Sequence, residues 1–317
     1  MDKLLKKLIA PVSPSGCEGA VAKVISELAR PYGQISQDHL GNLVVHKNGN
    51  GKRIMVAAHM DTVGLVASYV DENGFVRFGK IGGVSPVALA GQRVIFENGV
   101  VGVVCYEQGT DLKELTLDQL FVDTAGQKVS VGDTAVYDGA PCFAGDRVIS
   151  PYLDNRIGCA VCLKALELLQ DSDNDIFCTF TVQEEVGTRG AGAAAFSICP
   201  DFAIAVDVCG VSDYPGKRTG GLSIDAGPVV KLEDRSAICH KAVCELLLGS
   251  AEQEHIPVQR YVAVGGGTDT GVISRSRGGV PAGCLSIPIR YTHSPNEIAN
   301  LRVAEQCARL LAAALRD

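Results

Sequence analysis

Two histidines and three carboxylates, His59, Asp154, Glu185, Asp207 and His293, stand at separated points of the chain. Each lies where a buried strand, or the segment after it, runs into a turn. Two imidazoles with three carboxylates form a donor set suited to two borderline or hard divalent cations. Glu184, directly beside Glu185, is a general-base candidate. Cations with a base beside them point to hydrolysis by metal-activated water.

Three apolar runs end in these residues: RIMVAA in His59-Met60-Asp61, DIFCTFTVQ in Glu184-Glu185, and FAIAV in Asp207. In open α/β sheets, sites form outside the carboxyl ends of strands, so such runs bring distant residues to one edge. The His59 imidazole would bind metal while Asp61 orients the ring through its other nitrogen. Asp154, in Leu153-Asp154-Asn155-Arg156 before a helix, reads on its own as a helix cap. Within the set it reads as a carboxylate bridging two ions roughly 3.5–4 Å apart, one oxygen to each. Adjacent strand residues point to opposite faces, but where the strand ends Glu184 and Glu185 can border one cleft in different roles. Asp207 alone would be a turn former, and His293 in IRYTHSP a loop histidine. His39, His46, His240 and His255 lack an acid at a suggestive strand end and read as surface or structural. Gly265-Gly266-Gly267-Thr268-Asp269-Thr270 lacks the lysine of a P-loop. It reads as a loop bordering a substrate cleft, with Thr268 or Asp269 as helix cap. Arg290 and Lys231 are cations that would favour acidic substrate side chains.

The elements that must hold these residues follow from periodicity. Helical spacing covers 2–9 and 17–30, a hairpin 34–47, and a buried strand ends at His59. From about residue 65 to 150 short β-like runs alternate with Gly and Asn-Gly punctuation, Asn73-Gly74 and Asn98-Gly99 being hairpin signals. Only LKELTLDQL suggests a helix there. Alternation then returns, with helices 155–170, 189–198, 236–250, 269–276 and 297–316 and strands 176–182, 202–208 and 283–287. The fold class is α/β: a mixed, mostly parallel sheet covered on both faces, with a small inserted β-barrel. The expected division is 1–64 plus 153–317 for the larger domain and 65–152 for the insert.

A chain of 317 residues with 46% apolar and 21% charged residues can bury a sizeable core. The net charge of −7 and the lack of a basic run argue against a nucleic-acid partner. No apolar span reaches membrane length, so no membrane association is expected. The opening MDKLLKKLIAPVS is too short and interrupted for a secretory signal, so the expected place is a reducing cytoplasm with the 12 cysteines as free thiols. Cys159 and Cys162 lie in a helical run and read as core packing.

The words SPSGCEG, AAHMDTVG, YLDNRIGCAV, TVQEEVGTRGA, AVDV, GGGTDTG and IPIRYTHSPNE occur in this order across nearly the whole chain. Together they resemble metallopeptidase family forty-two, the dinuclear metallo-aminopeptidases of glutamyl, lysyl and deblocking type, some labelled endoglucanase. The resemblance implies a three-layer α/β/α, phosphorylase/hydrolase-like catalytic domain. It implies one ion on His59, Asp154 and Asp207 and another on Asp154, Glu185 and His293, with Glu184 as base and Asp61 behind His59. Zinc is the expected metal, with cobalt or manganese as substitutes. The resemblance further implies dimerisation through the β insert and assembly of dimers into a hollow tetrahedral dodecamer. Two segments depart from the family pattern: the short YEQGTDLKELTLDQL and the stretch VCGVSDYPGKRTGG after Asp207.

The expected activity is removal of N-terminal residues from peptides, the free α-amino group being met by the ions and Glu184. A glycosidase could also use a carboxylate pair, but adjacent Glu184 and Glu185, two histidines and no tryptophan for sugar stacking disfavour it. A metal-stabilised scaffold without activity is the remaining alternative, and the base candidate speaks against it.

Overall fold

The apolar runs that end in candidate ligands become neighbouring strands of one large sheet. In this computed structural model residues 1–169, 172–216 and 221–316 are described. Part of the VCGVSDYPGKRTGG stretch and the last residue of the expected helix 155–170 lie outside them. The chain opens with α1 (Asp2–Ile9), α2 (Gly19–Ala29), β1 (Gln34–Gln37), β2 (Leu43–Lys47) and β3 (Arg53–His59). Next come β4 (Gly64–Val70), β5 (Val76–Ile81), α3 (Pro86–Leu89), β6 (Arg93–Phe96), β7 (Val101–Tyr106), β8 (Leu120–Asp123) and β9 (Thr134–Tyr137). Then follow β10 (Cys142–Ala144), β11 (Arg147–Ser150), α4 (Leu153–Leu168), β12 (Asp175–Thr181), α5 (Arg189–Ile198) and β13 (Phe202–Gly210). The chain continues through β14 (Val229–Glu233), α6 (Lys241–Gln253), β15 (Gln259–Val262), α7 (Thr270–Ile273), β16 (Ala282–Arg290), β17 (Glu297–Asn300) and α8 (Leu301–Ala314).

The large sheet runs β1-β2-β12-β3-β13-β16-β17-β11-β10, with β14 and β15 branching from β16. Its centre, β12-β3-β13-β16, is parallel, and both ends are antiparallel. Six of the seven residues of β3 are buried, as a strand covered on both faces requires. Its side chains divide with the pleat. Ile54, Val56 and Ala58 join the core beneath α4 and α8, whereas Met55 and Ala57 pack with Ala191, Ala194 and Ile198 of α5 and Ile273 of α7. The result is three layers, helix on sheet on helix. The parallel register sets Thr181 beside His59 and Asp207 beside Ser286, so strand ends meet at one rim.

Strands β4-β5-β8-β7-β6-β9 close into a six-stranded antiparallel barrel. Asn73-Gly74 and Asn98-Gly99 turn the chain between β4 and β5 and between β6 and β7, as the sequence predicts. The barrel interior holds buried Leu65, Val76, Val94, Phe96, Val104 and Val122. Its strands span Gly64–Tyr137, whereas β10 and β11, grouped with the insert on sequence, pair through β17 with the large sheet.

Four helix expectations need correction. LKELTLDQL makes two single 3₁₀ turns, Leu112–Glu114 and Leu117–Gln119. Leu115 turns extended between them, and the Thr116–Gln119 capping box starts the chain afresh. The helix expected over 236–250 starts at Lys241, because the Asp234 carboxylate accepts from the Ser236 and Ala237 N–H groups and holds a turn. The helix expected over 269–276 is the single turn α7. Residues 297–300 are strand β17, and α8 begins only where the Asn300 side chain accepts from the Arg302 N–H.

Candidate metal centre

His59 ends β3, and its side chain is 2% exposed. Its Nε2 lies 3.1 Å from Asp154 Oδ1 and 3.5 Å from Asp207 Oδ1. The other ring nitrogen faces Asp61, with Nδ1 3.4 Å from Oδ1 and 3.3 Å from the backbone carbonyl. Buried Asp61 also accepts from Ser15 Oγ (2.6 Å) and from the backbone N–H groups of Glu184 (3.0 Å) and Glu185 (3.2 Å). It therefore fixes the His59 ring and the Glu184-Glu185 turn together. Burial pushes the Asp61 carboxyl up, but hydrogen bonding and charge from His59 outweigh it and leave its pKa lowered.

Asp154 stands in the first turn of α4 yet caps nothing. Its backbone is non-helical (φ −78°, ψ 104°), and its carboxylate turns to the two histidines. Oδ1 faces His59, and Oδ2 lies 3.2 Å from His293 Nε2. Burial would raise its pKa, but hydrogen bonds from His293 and His59 carry it well below the usual carboxylate range. His293, between β16 and β17, also places Nε2 3.3 Å from Glu185 Oε2. Burial works against both imidazolium ions, and the surrounding carboxylates win. His59 is raised well above its ordinary value, and His293 is pushed up to about 12.

Glu184 and Glu185 follow β12 and border the same cavity, as the turn at the strand end allows. Glu184 Oε2 reaches 4.0 Å from His59 Nε2. Burial raises its carboxyl well above the usual range; His59 opposes this, and the charges of Asp207, Asp269 and Glu185 add to it.

These positions fit two divalent ions. The donor atoms of His59, Asp154 and Asp207 lie within 4.8 Å of one another, as do those of Asp154, Glu185 and His293. Nitrogen and oxygen ligands about 2.0–2.2 Å from a tetrahedral ion lie roughly 3.4 Å apart, and the four His–carboxylate separations are 3.1, 3.2, 3.3 and 3.5 Å. Glu185 Oε1 is buried without a hydrogen-bond partner, a costly state for a carboxylate oxygen unless a cation meets it.

A cavity of about 650 Å³ opens on these residues. Its walls include Gly265, Gly266 and Gly267, as the loop reading expects. Thr268 and Asp269 lie behind that wall. Thr268 Oγ1 donates to Asp234 Oδ2, and Asp269, whose pKa burial pushes up to about 7, accepts from Thr181 Oγ1 at 2.6 Å. Asp269 occupies the N-cap position of α7 but makes no side-chain cap bond. Lys231 is 5% exposed and lines the cavity, whereas Arg290 is paired to Asp213 at 2.8 Å. His46 pairs with Asp175, away from this site.

Sequence reading did not single out Glu297. It is 1% exposed, and its two oxygens accept from the backbone N–H groups of His293 (2.6 Å) and Asp154 (2.9 Å). One carboxylate thus ties together the main chains of two donors that are far apart in sequence. Its only sequence signal is an acid four residues after His293 in an otherwise loop-like stretch. Ser15, in SPSGCEG, likewise showed no role until its hydroxyl met Asp61.

The chain is similar to known proteins along nearly its whole length. The model of a family described as M42 glutamyl aminopeptidase matches residues 41–310. A lysyl aminopeptidase of Pyrococcus furiosus is 32% identical, covering 99% of this chain and 96% of its own. The structure of aminopeptidase APDkam598 from Desulfurococcus kamchatkensis superposes with a TM-score of 0.96 at 37% identity, over 99% of this chain and 94% of that one. The TET1 peptidase of Pyrococcus horikoshii, described as assembling into a tetrahedron or a large octahedral shell, gives a TM-score of 0.89 at 29% identity, over 100% and 99%.

Proposed function

The chain belongs to the M42 glutamyl aminopeptidase family and is a metal-dependent aminopeptidase; we propose that two divalent ions, zinc by expectation, share Asp154 and that Glu184 is its general base. His59 and Asp207 complete one site, and Glu185 and His293 the other. The observation that carries this reading is the single buried carboxylate with one oxygen turned to each donor set. When bound, the ions supply Lewis acidity toward the scissile carbonyl and the attacking water.

The chain's own residues do the rest. Asp61 holds the His59 ring with Nε2 toward the cavity and pins the turn that carries Glu184. Glu184 takes the proton of the attacking water and returns it to the leaving amine. Its buried surroundings favour that role, because they make the carboxylate a stronger base than an exposed glutamate. With Glu185 and Asp207 engaged by the ions, Glu184 is left on the cavity wall to meet the free α-amino group of a peptide's first residue, which favours chain ends. Among the described residues no helix is long and apolar enough to cross a membrane, and all 12 cysteines are free. Free thiols suit a reducing cytoplasm. The barrel, with exposed Tyr69, Val87 and Val131, is the surface through which dimers form. The tetrahedral assembly described for the Pyrococcus horikoshii TET1 peptidase supports a dodecamer.

The variant Glu184→Gln tests the reading. It should bind the ions as the wild type does and lose about 10²–10⁴-fold in kcat on aminoacyl anilides. Full turnover in that variant would remove Glu184 from the mechanism, and activity on cellulosic substrates that survives chelation would favour a glycosidase.

A further inference from the structure

His293 differs from the other histidine of the centre. It lies in the turn between β16 and β17 with φ +62°, and its side chain is 30% exposed against 2% for His59. The carboxylate behind His59 is Asp61, from the segment that directly follows β3. His293 has no carboxylate at its Nδ1; that nitrogen lies 3.2 Å from the backbone carbonyl of Gly83, in the loop after β5 of the barrel. We propose that Gly83 is a positioning residue of the metal centre: its carbonyl accepts the Nδ1 proton of His293 and so presents Nε2 to Asp154 and Glu185. The barrel loop thereby helps complete the site of Asp154, Glu185 and His293. This rests on the two-ion reading above.

Three observations support it. First, a neutral imidazole has one donor and one acceptor nitrogen, so a carbonyl on Nδ1 makes Nε2 the free lone pair. Second, the loop is built for close approach. A Cβ on Gly83 would lie 2.7 Å from His293 Nδ1 and 3.0 Å from Cε1. One on Gly82 (φ +72°) would lie 2.9 Å from a Val63 methyl and 3.1 Å from Glu185 Cβ. Two consecutive glycines therefore let the barrel backbone touch both private donors of the Asp154–Glu185–His293 set. Third, among the described residues no such barrel carbonyl meets the other set. His59 is held by Asp61 and Asp154, and Asp207 bonds its own chain at Val208 N–H. Barrel placement and one ion's affinity are thus linked through the Gly82-Gly83 backbone, beside the Tyr137 hydroxyl of β9, which donates to the His293 carbonyl.

The test is Gly83→Ala in the full chain, with Ser85→Ala as a control at an exposed position of the same loop. Zinc titration should show one ion bound about tenfold or more weakly in Gly83→Ala, the scale of loss for a disturbed partner behind a ligand. The second ion should bind at wild-type affinity, and Ser85→Ala should bind both ions normally. Anomalous diffraction should place the weakened ion beside Glu185. Wild-type affinity for both ions in Gly83→Ala overturns the proposal. A zinc-loaded wild-type structure decides independently, should the variant fail to fold: Nδ1 within hydrogen-bond distance of Gly83 and Nε2 on the ion is the expected result, and Nδ1 on the ion overturns it. A wild type that takes up no zinc removes the premise itself; two ions in the wild type with an indifferent variant removes this proposal alone.

Discussion

Asp154 shows why neighbours decide what a residue does. Ahead of a helix, an aspartate ordinarily caps backbone N–H groups. Here the first turn of α4 leaves helical geometry, Glu297 takes the Asp154 N–H, and the carboxylate is freed for His59 and His293. The same neighbours set a pH dependence. Although burial opposes it, the surrounding carboxylates raise both rings, His59 well above its ordinary value and His293 to about 12. An ion needs the neutral ring, so loading should release protons, and affinity should rise with pH. The sign follows from the direction of the shifts: lowering pH strengthens the proton as competitor. Calorimetry in buffers of different ionisation enthalpy measures the count. Uptake of two ions without proton release would mean the rings are already neutral. His59, Glu185 and Asp207 were legible because apolar runs lead into them, whereas Asp154 and His293 were legible only as members of that set. Glu297 accepts from backbone N–H groups 4 and 143 residues away, and Gly83 offers a backbone carbonyl to a ring 210 residues away, so no periodic pattern marks them.

Strands carried their own signal where burial is two-sided. RIMVAA and FAIAV are continuous apolar runs because helices cover both faces, and they became β3 and β13. Helix starts were harder to read. Periodicity continued through 236–240 and 297–300, but the side chains of Asp234 and Asn300 hold the backbone out of the helix until Lys241 and Leu301. β14 was missed because buried Lys231 interrupts its apolar run, and β15 because exposed Arg260 and Val262 alternate with half-buried residues. In the barrel, alternation and Asn-Gly turns made five of the six strands plain, but β8 was not, since its first residue Leu120 ends the run read as helix, and closure leaves an interior of its own. Phe96 is fully enclosed there. Phe96→Ala should destabilise by about 3–5 kcal/mol, read as a lowered urea midpoint; a shift worth less than about 1 kcal/mol would mean that the barrel core repacks around the gap.

For the whole molecule, the barrel joins the large sheet at two points that matter: β4 leaves within five residues of His59, and the loop after β5 returns to His293. The insert proposed to carry assembly thus also reaches the site. A dodecamer of 33.3 kDa chains has a mass of about 400 kDa. Light scattering of the metal-loaded protein should find that mass or the dimers that build it, and a stable monomer across concentrations would contradict self-association. That the large sheet includes β10 and β11 was not legible, because their partner β17 is far off in sequence and itself read as helix.

Anomalous diffraction from zinc-loaded crystals tests the metal centre most directly. Two peaks roughly 3.5–4 Å apart, one beside His59 and Asp207 and the other beside Glu185 and His293, with an oxygen of Asp154 on each, is the expected result. Fully active protein with no peak at Asp154, or with a single ion that leaves one histidine unligated, would contradict it.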